Sequence, residues 1–365
     1  MSAQNPMPRS SWIFPALAVL LFAAVSATDY VFTLSPSGLV FAIVLLVILF
    51  GAVFAAVHHA EVIAERVGEP YGTLVLTLSV TIIEVALITT IMLGDKPAPA
   101  LARDTVFAVV MIVCNGLVGL CIFIGGLRYR EQGFQLSGAN VYLSVLFALA
   151  TITLIMPNYT TSTPGPVYST AQLGFVDVVT LALYSVFLYT QTVLHKDYFV
   201  HERAEGESGE AYLSGRMLAL SAVLLLVALL AVVLLAKKFS LVVDAVAAKI
   251  GAPPAFAGLL VALLILMPEG LAAVAAARKN DLQKSINLAL GSSLATIGLT
   301  IPAVGVATYA LDKELELGLN AQGSVLLLLT FFLSMLTFGT GRTNVLFGLV
   351  HMVVFAVYVF MVFVP

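Results

Sequence analysis

Long apolar stretches separated by short polar turns repeat along the whole chain. Each stretch has about 17 to 25 residues, enough for an α-helix rising 1.5 Å per residue to cross roughly 30 Å of membrane hydrocarbon. The pattern predicts about eleven transmembrane helices and leaves almost no length for a soluble domain. They are predicted near residues 12–28, 37–58, 71–93, 104–126, 139–156, 172–194, 216–236, 255–277, 285–310, 322–338 and 344–363.

The composition agrees with this pattern. Only 10% of the 365 residues are charged and 61% are hydrophobic, whereas soluble domains carry about 25% charged residues. The predicted fold class is therefore an all-α polytopic membrane protein. A short polar leader precedes the first helix without a small-residue cleavage site, so this helix is predicted to be retained, with a signal peptide as the alternative.

The positive charges predict an orientation. With the N-terminus in the cytoplasm, eleven of the 17 Lys and Arg residues fall on the cytoplasmic side, as the positive-inside rule requires. The chain is expected in a prokaryotic inner membrane, with its C-terminus outside. Without a basic tract, nucleic acid is not an expected partner; the predicted partners are the lipid bilayer and small inorganic cations, with no cofactor and no obligate protein partner.

Two separated stretches share a sequence motif. "EVIAERVGEP" (61–70) and "DAVAAKIGAP" (244–253) each precede an apolar helix that holds one acid. This predicts an internal duplication into two units of five helices, and the odd number inserts the second unit upside down, as in many secondary transporters. The predicted divisions are a leader with an extra helix (1–33), a first repeat (34–194), an acidic cytoplasmic loop (195–215) and a second, inverted repeat (216–365). The loop is interpreted as a flexible linker, with cation attraction or regulation as the alternative.

The two acids are Glu84 and Glu269. A charged side chain at the bilayer centre costs at least about 2.5–3.5 kcal/mol, so an acid there indicates a functional site. The alternative is a protonated glutamate bonded to a backbone carbonyl. Each acid lies two to three residues past the middle of its predicted helix, and the two helices run in opposite directions. Both acids are therefore predicted to reach one cation near the midplane.

Neighbouring residues are predicted to support this site. Thr77 and Thr81 share the helix face of Glu84. Pro268, next to Glu269, removes a helix hydrogen bond and is predicted to expose a backbone oxygen at Ile265, with a packing kink as the alternative.

Two further helices are predicted to complete the site. Ser292, Thr296 and Thr300 repeat every four residues along one helix face, and Gly291 allows close approach there. Asn115 is the single strongly polar side chain of the other helix. Because hydroxyl groups also join transmembrane helices, packing is the favoured interpretation for any single Ser or Thr taken alone, and it is an equal alternative for Asn115.

Four other residues have ordinary interpretations. Asp177 is interpreted as a residue near the membrane interface and His351 as a packing histidine, with a role as proton relays as the alternative for both. Cys114 and Cys121 lie seven residues apart in one helix, about 10.5 Å along its axis, which is too far for a disulfide. They are predicted to be packing residues.

The oxygen ligands indicate the transported ion. Carboxylates, hydroxyls and carbonyls suit Ca²⁺ and Na⁺ rather than soft metals. Two glutamates match the charge of one Ca²⁺, and protonation neutralises them without the ion, so competition between the two states predicts an antiporter. A channel is disfavoured because no filter-like segment repeats. An enzyme is not expected, since the sequence has no His-Glu-x-x-His motif and "LGSSL" lacks the nucleophile-elbow spacing.

Two segments resemble a known family. "GEPYGTLVLTLSVTIIEVALI" (68–88) and "LMPEGLAAVAAARKNDLQKSINLALGSSLATIGLTIP" (266–302) are similar to the two α-repeats of bacterial calcium/proton antiporters in the cation/Ca²⁺ exchanger superfamily. The resemblance implies ten core helices in two inverted halves plus one extra helix. It also implies that Glu84 and Glu269 alternately bind metal and protons, that Gly291, Ser292 and Ser293 line the site, and that Ca²⁺ is exported against protons by alternating access.

The resemblance has one departure. Many family members carry Gly-Asn just before each acid, where this chain has Val80-Thr81 and Ile265-Leu266. Members with this variant resemble exchangers that also handle Na⁺ or K⁺. A monovalent cation/proton antiporter using the same acids is therefore the alternative function.

Overall fold

The computed structural model describes residues 8–28, 30, 32–69, 71–94, 98–199 and 215–364. This part of the chain contains thirteen α-helices, four short π-helical segments, two 3₁₀ turns and two three-residue strands. The helices are α1 (Ser10–Ala27), α2 (Pro36–Val67), α3 (Tyr71–Met92), α4 (Leu101–Met111), α5 (Val118–Tyr129), α6 (Leu136–Ala150), α7 (Thr170–Tyr189), α8 (Gly215–Ile250), α9 (Ala255–Arg278), α10 (Leu282–Ala295), α11 (Ile301–Ala310), α12 (Ala321–Phe338) and α13 (Val345–Phe363). The strands are β1 (Glu131–Gly133) and β2 (Arg342–Asn344), which pair antiparallel.

The predicted fold class is confirmed. The described residues contain 11 helices long and apolar enough to cross a membrane. Two of these spans are composite: α4 and α5 continue through a π-helical segment, Ile112–Leu117, and α10 and α11 continue through another, Thr296–Thr300. Two further π-helical segments, Thr151–Ile155 and Thr190–Leu194, follow α6 and α7. A π-turn keeps the backbone hydrogen-bonded, so each composite span still satisfies its polar groups inside a bilayer.

The chain forms two compact units. In the first unit, α2 packs against α1, α3 and α8. The second unit contains α4 to α7 and α9 to α13, and within it α9 packs against α4, α5 and α10 while α13 packs against α5. The predicted divisions at residues 33, 194 and 215 stay a prediction, and residues 200–214 of the predicted acidic loop lie outside the described residues.

Both motif copies lie at the end of an unusually long helix. Helices α2 and α8 have 32 and 36 residues and continue beyond the apolar stretches into the polar motif residues. They end where the chain reaches Gly68 (φ 73°) and Gly251 (φ 67°). Glycine adopts this left-handed conformation without steric cost and is therefore a common helix terminator. The repeated glycine explains why both helices extend to the same motif position.

The elements that follow each motif have matching lengths. Helices α3 and α9 have 22 and 24 residues. The next spans, Leu101–Tyr129 and Leu282–Ala310, both have 29 residues, and in both a π-helical segment lies between two α-helices. This shared order of lengths and interruptions favours an internal duplication.

Glycines bring α5 and α13 unusually close in the second unit. A Cβ added at Gly348 would lie 2.6 Å from the backbone nitrogen of Phe123, and one added at Gly119 would lie 2.9 Å from His351 Cβ. A Cβ at Gly126 would likewise lie 2.6 Å from the backbone nitrogen of Val345. Small residues allow this close packing in transmembrane helix pairs. The contact sets the position of α13 and of the histidine it carries.

Candidate cation-binding site

Glu84 lies deep within helix α3. It is the fourteenth of the 22 residues of this helix, and its side chain is only 1% exposed. Thr81, one turn earlier on the same face, is buried, and Thr77 is half-buried. The helix therefore presents one carboxyl group and two hydroxyl groups on the predicted face.

Glu269 has the corresponding position in helix α9. It is the fifteenth of 24 residues and is half-buried. Pro268 lies inside the helix, and because an amide donates to the carbonyl four residues earlier, the carbonyl that loses its donor is that of Leu264. The carbonyl oxygen that lacks a helix donor thus lies one residue before the predicted position at Ile265. Both Leu264 and Ile265 are buried.

The two acids have equivalent depths within their own helices. Each lies about two to three residues, or roughly 4 Å, past the helix middle, as the sequence predicts. Glu84 belongs to the first unit and Glu269 to the second. Each helix therefore carries an acid near the centre of a membrane span, where a charge requires compensation.

The helix pair α10 and α11 supplies hydroxyl groups at its π-helical segment. Gly291 and Ser292 are half-buried, Ser293 is fully buried, and Thr296 opens the segment. Within the described residues, no hydrogen-bond partner lies within reach of Ser293 Oγ. A buried hydroxyl without a partner is costly, and a bound cation would compensate it. Single-turn π-helices also occur frequently at functional sites.

Asn115 lies inside the π-helical segment Ile112–Leu117 and is fully buried. Its Nδ2 donates to Thr330 Oγ1 at 2.8 Å, and its Oδ1 lies 3.0 Å from His351 Nδ1. The other ring nitrogen of His351 lies 2.9 Å from Thr337 Oγ1. The structure thus brings Asn115 and His351 together, although 236 positions separate them in the chain.

The contribution of helix α12 was missed by the sequence reasoning. Thr330 and Thr337 are both fully buried and lie seven residues apart, hence on one helix face. Together with the buried Ser334 they form a polar stripe on an otherwise apolar helix. That stripe is the sequence signal that could have identified α12 as a partner of Asn115 and His351.

The remaining candidates also belong to the second unit. Asp177 is half-buried in α7 and contacts α11, where a Cβ added at Gly305 would lie 2.6 Å from its Oδ2. Cys114 and Cys121 are buried free thiols, in agreement with the expectation that they do not bridge. Among the described residues, no group of three His, Cys, Asp or Glu side chains could hold a metal ion.

Comparison with known proteins adds a family match. The model of the sodium/calcium exchanger protein family matches residues 37–193 and 220–364. A putative ionic transporter, y4hA, from Sinorhizobium fredii is 44% identical over 80% of both chains. The sodium-potassium/proton antiporter ChaA of Escherichia coli is 39% identical, again over 80% of both chains. The Ca²⁺/H⁺ antiporter ChaA of Bacillus subtilis is 23% identical over 55% of this chain and 57% of its own length.

Solved structures agree on the fold. The native structure of YfkE superposes with a TM-score of 0.72 at 17% identity, covering 97% of this chain and 100% of that one. The H⁺/Ca²⁺ exchanger CAX gives a TM-score of 0.69 at 17% identity, covering 97% of this chain and 89% of that one. At such identities the likeness establishes the helical architecture alone.

Proposed function

Because the chain belongs to the sodium/calcium exchanger protein family and is a membrane cation antiporter, we propose that it exports Ca²⁺ in exchange for protons by alternating access. The name of the Bacillus subtilis relative, a Ca²⁺/H⁺ antiporter, supports this choice of ions. We place the protein in a bacterial inner membrane with its N-terminus in the cytoplasm, following the distribution of its positive charges.

One observation carries the proposal. Glu84 and Glu269 lie at equivalent depths in membrane-spanning helices of similar length. In the proposal these two carboxyl groups take up either the cation or protons. Two carboxylates neutralise one divalent cation, and two carboxylic acids need no cation. Each state avoids an uncompensated charge in the membrane, so the helices can change conformation in either state but not while both acids are charged and empty.

Other oxygen atoms are proposed as supporting ligands. Thr77 and Thr81 would serve Glu84, and the carbonyl released by Pro268 would serve Glu269. The hydroxyl of Ser293, which has no hydrogen-bond partner among the described residues, supports a ligand role for α10, where Ser292 and Thr296 lie near it in sequence. These are hard oxygen donors of the kind that Ca²⁺ prefers.

A second candidate is exchange of Na⁺ or K⁺ for protons through the same acids. Two observations favour it. The Escherichia coli relative at 39% identity is named a sodium-potassium/proton antiporter, and this chain lacks the Gly-Asn pair before each acid. Fewer amide ligands reduce the number of oxygen atoms that a Ca²⁺ ion, which takes six to eight, would find.

Everted membrane vesicles with an imposed proton gradient test both candidates. Ca²⁺, Na⁺ or K⁺ is added in turn, and collapse of the gradient is followed with a pH-sensitive dye. We expect Ca²⁺ to collapse the gradient in the wild type. Glu84→Gln and Glu269→Gln should each abolish the response, because an amide keeps the shape of the side chain but neither binds a proton nor carries a charge.

The control is Glu131→Gln, the same chemical change at an exposed acid in β1, which should exchange cations like the wild type. Collapse by Na⁺ or K⁺ but not by Ca²⁺ would establish the second candidate. Undiminished exchange by folded Glu84→Gln or Glu269→Gln protein would refute the assignment of the two acids.

A further inference from the structure

A chain of hydrogen bonds joins three membrane spans in the interior of the second unit. It runs from Thr337 of α12 to His351 of α13, from His351 to Asn115, and from Asn115 back to Thr330 of α12. All four side chains are 0% exposed. The chain is confined to protein and does not depend on bulk water.

The direction of every bond in this chain can be assigned. Thr330 Oγ1 donates its proton to the carbonyl of Leu326 at 2.8 Å, so it accepts from Asn115 Nδ2. Asn115 Oδ1 is then the atom that faces His351, and an oxygen can only accept. His351 must therefore carry a hydrogen on Nδ1.

The second ring nitrogen completes the assignment. In a neutral imidazole with Nδ1 protonated, Nε2 is an acceptor, and the hydroxyl of Thr337 can donate to it. A protonated ring would be a buried cation with no acid among its hydrogen-bond partners, which is costly. The geometry thus favours a neutral ring that holds the Asn115 amide in one orientation.

These hydrogen bonds hold a segment that packs against α9, the helix that carries Glu269. Asn115 belongs to the π-helical segment Ile112–Leu117, and α9 packs against that segment. A Cβ added at Gly270, the residue after Glu269, would lie 3.8 Å from the side chain of Leu117. The segment therefore forms part of the wall against which the turn containing Glu269 is packed.

We infer that His351 is a positioning residue for cation exchange: through its Nδ1–H it fixes Asn115, and with it the π-helical segment that supports the turn of Glu269. The inference rests on the proposed role of Glu269. His351 acts only through Asn115, so it orients the site without exchanging protons itself. Hydrogen bonds that orient a ligand from outside the coordination sphere typically change metal affinity about 10–100-fold when they are removed.

Two amide substitutions at His351 distinguish the contributions of its two ring nitrogens. In His351→Asn the amide nitrogen occupies approximately the position of Nδ1, so the donor to Asn115 is kept. In His351→Gln the longer side chain places its amide near Nε2, so the contact with Thr337 is kept while the contact with Asn115 is lost. Neither amide titrates. The pair therefore tests which contact matters and whether the ring must carry a proton.

The full-length chain is assayed in everted vesicles with the cation that the wild type exchanges. We expect His351→Asn to keep its apparent KM within about twofold of wild type, and His351→Gln to raise it about tenfold. The amount of folded transporter is measured by fluorescence-detected size-exclusion chromatography. Transport is also measured across pH, and the profile of His351→Asn should coincide with that of the wild type.

Thr330→Val is the second variant, since it removes the acceptor of Asn115 Nδ2, together with the hydroxyl's own bond to the Leu326 carbonyl, and preserves the side-chain shape. It should raise the apparent KM in the same direction as His351→Gln, and it keeps the inference testable if that variant does not fold. An unchanged KM in either folded variant overturns the inference. A shifted pH profile in His351→Asn also overturns it, because the ring would then carry protons. Loss of folded protein with an unchanged KM for the remainder would show a packing role only.

Failure of the proposed function gives a different result. A wild-type chain that exchanges none of the three cations, or a folded Glu269→Gln variant that still exchanges them, refutes the proposed function and this inference together. Exchange that is lost in Glu269→Gln but has the wild-type KM in His351→Gln refutes this inference alone.

Discussion

Replacing Gly348 with alanine should destabilise the second unit by a predictable amount. The new Cβ would lie 2.6 Å from the backbone nitrogen of Phe123 and 2.8 Å from the carbonyl oxygen of Gly119. Ordinary contacts begin near 3.4 Å, and backbone atoms cannot rotate away, so α13 must move by about 0.8 Å. Overpacking of this kind costs about 1–3 kcal/mol.

The displacement should also break a hydrogen bond. His351 follows Gly348 by three residues in the same helix, and its Nδ1 lies 3.0 Å from Asn115 Oδ1. A shift of about 0.8 Å along this bond would exceed the 3.5 Å limit for hydrogen bonding, leaving two buried polar groups unsatisfied at a further cost of about 1–3 kcal/mol. The combined loss is about 2–6 kcal/mol.

The measurement is thermal unfolding of the detergent-solubilised protein. At roughly 2–4 °C per kcal/mol for a domain of 150–250 residues, Tm should fall by about 4 °C or more. Gly174→Ala in α7 is the matched control, because the described part of the chain has no heavy atom within 4 Å of the added Cβ. Its Tm should stay the same or rise slightly. Equal Tm values for Gly348→Ala and the wild type would refute the close-packing argument.

Three further outcomes are expected. Burial raises the pKa of Tyr168 from 10 to about 12, so the folded chain keeps this proton while the unfolded chain loses it; stability should therefore fall between pH 10 and 12 relative to Tyr168→Phe, as measured by denaturation across that range. Arg103 donates to the buried Asp104 carboxylate at 2.9 Å and to the Gly318 carbonyl at 3.2 Å, so Arg103→Gln should lower the free energy of unfolding in denaturant by about 1–3 kcal/mol, because a buried acceptor loses its charged donor. Both cysteines are buried, so a maleimide should label them only after unfolding.

The sequence predicted the elements that depend on local pattern. Hydropathy located all eleven spans because membrane thickness sets their length, and the acids stood out because a charge in an apolar run is rare. Helices α2 and α8 extend well past the predicted ends at 58 and 236, since no residue interrupts them before Gly68 and Gly251. Hydropathy measures the apolar part of a helix, not its whole length.

Features that depend on distant contacts were not predictable in the same way. The partnership of Asn115 with His351 spans 236 positions, and no periodic pattern links residues so far apart. The four π-helical segments were also missed, because a single extra residue in a helical turn leaves the hydrophobic pattern almost unchanged.

The π-helical segments Ile112–Leu117 and Thr296–Thr300 show how equivalent spans can be held by different interactions. The first is fixed by hydrogen bonds through Asn115, while the second contains Gly298, where a Cβ would lie 2.6 Å from Tyr184 Cβ. The packing of the first segment therefore depends on the hydrogen bonds of Asn115, and the packing of the second depends on the absence of a side chain at Gly298. Since hydrogen bonds are lost when donors are removed and close packing is lost when volume is added, the two spans should respond to opposite kinds of substitution. An internal duplication can thus preserve the placement of the two acids while each copy evolves its own support.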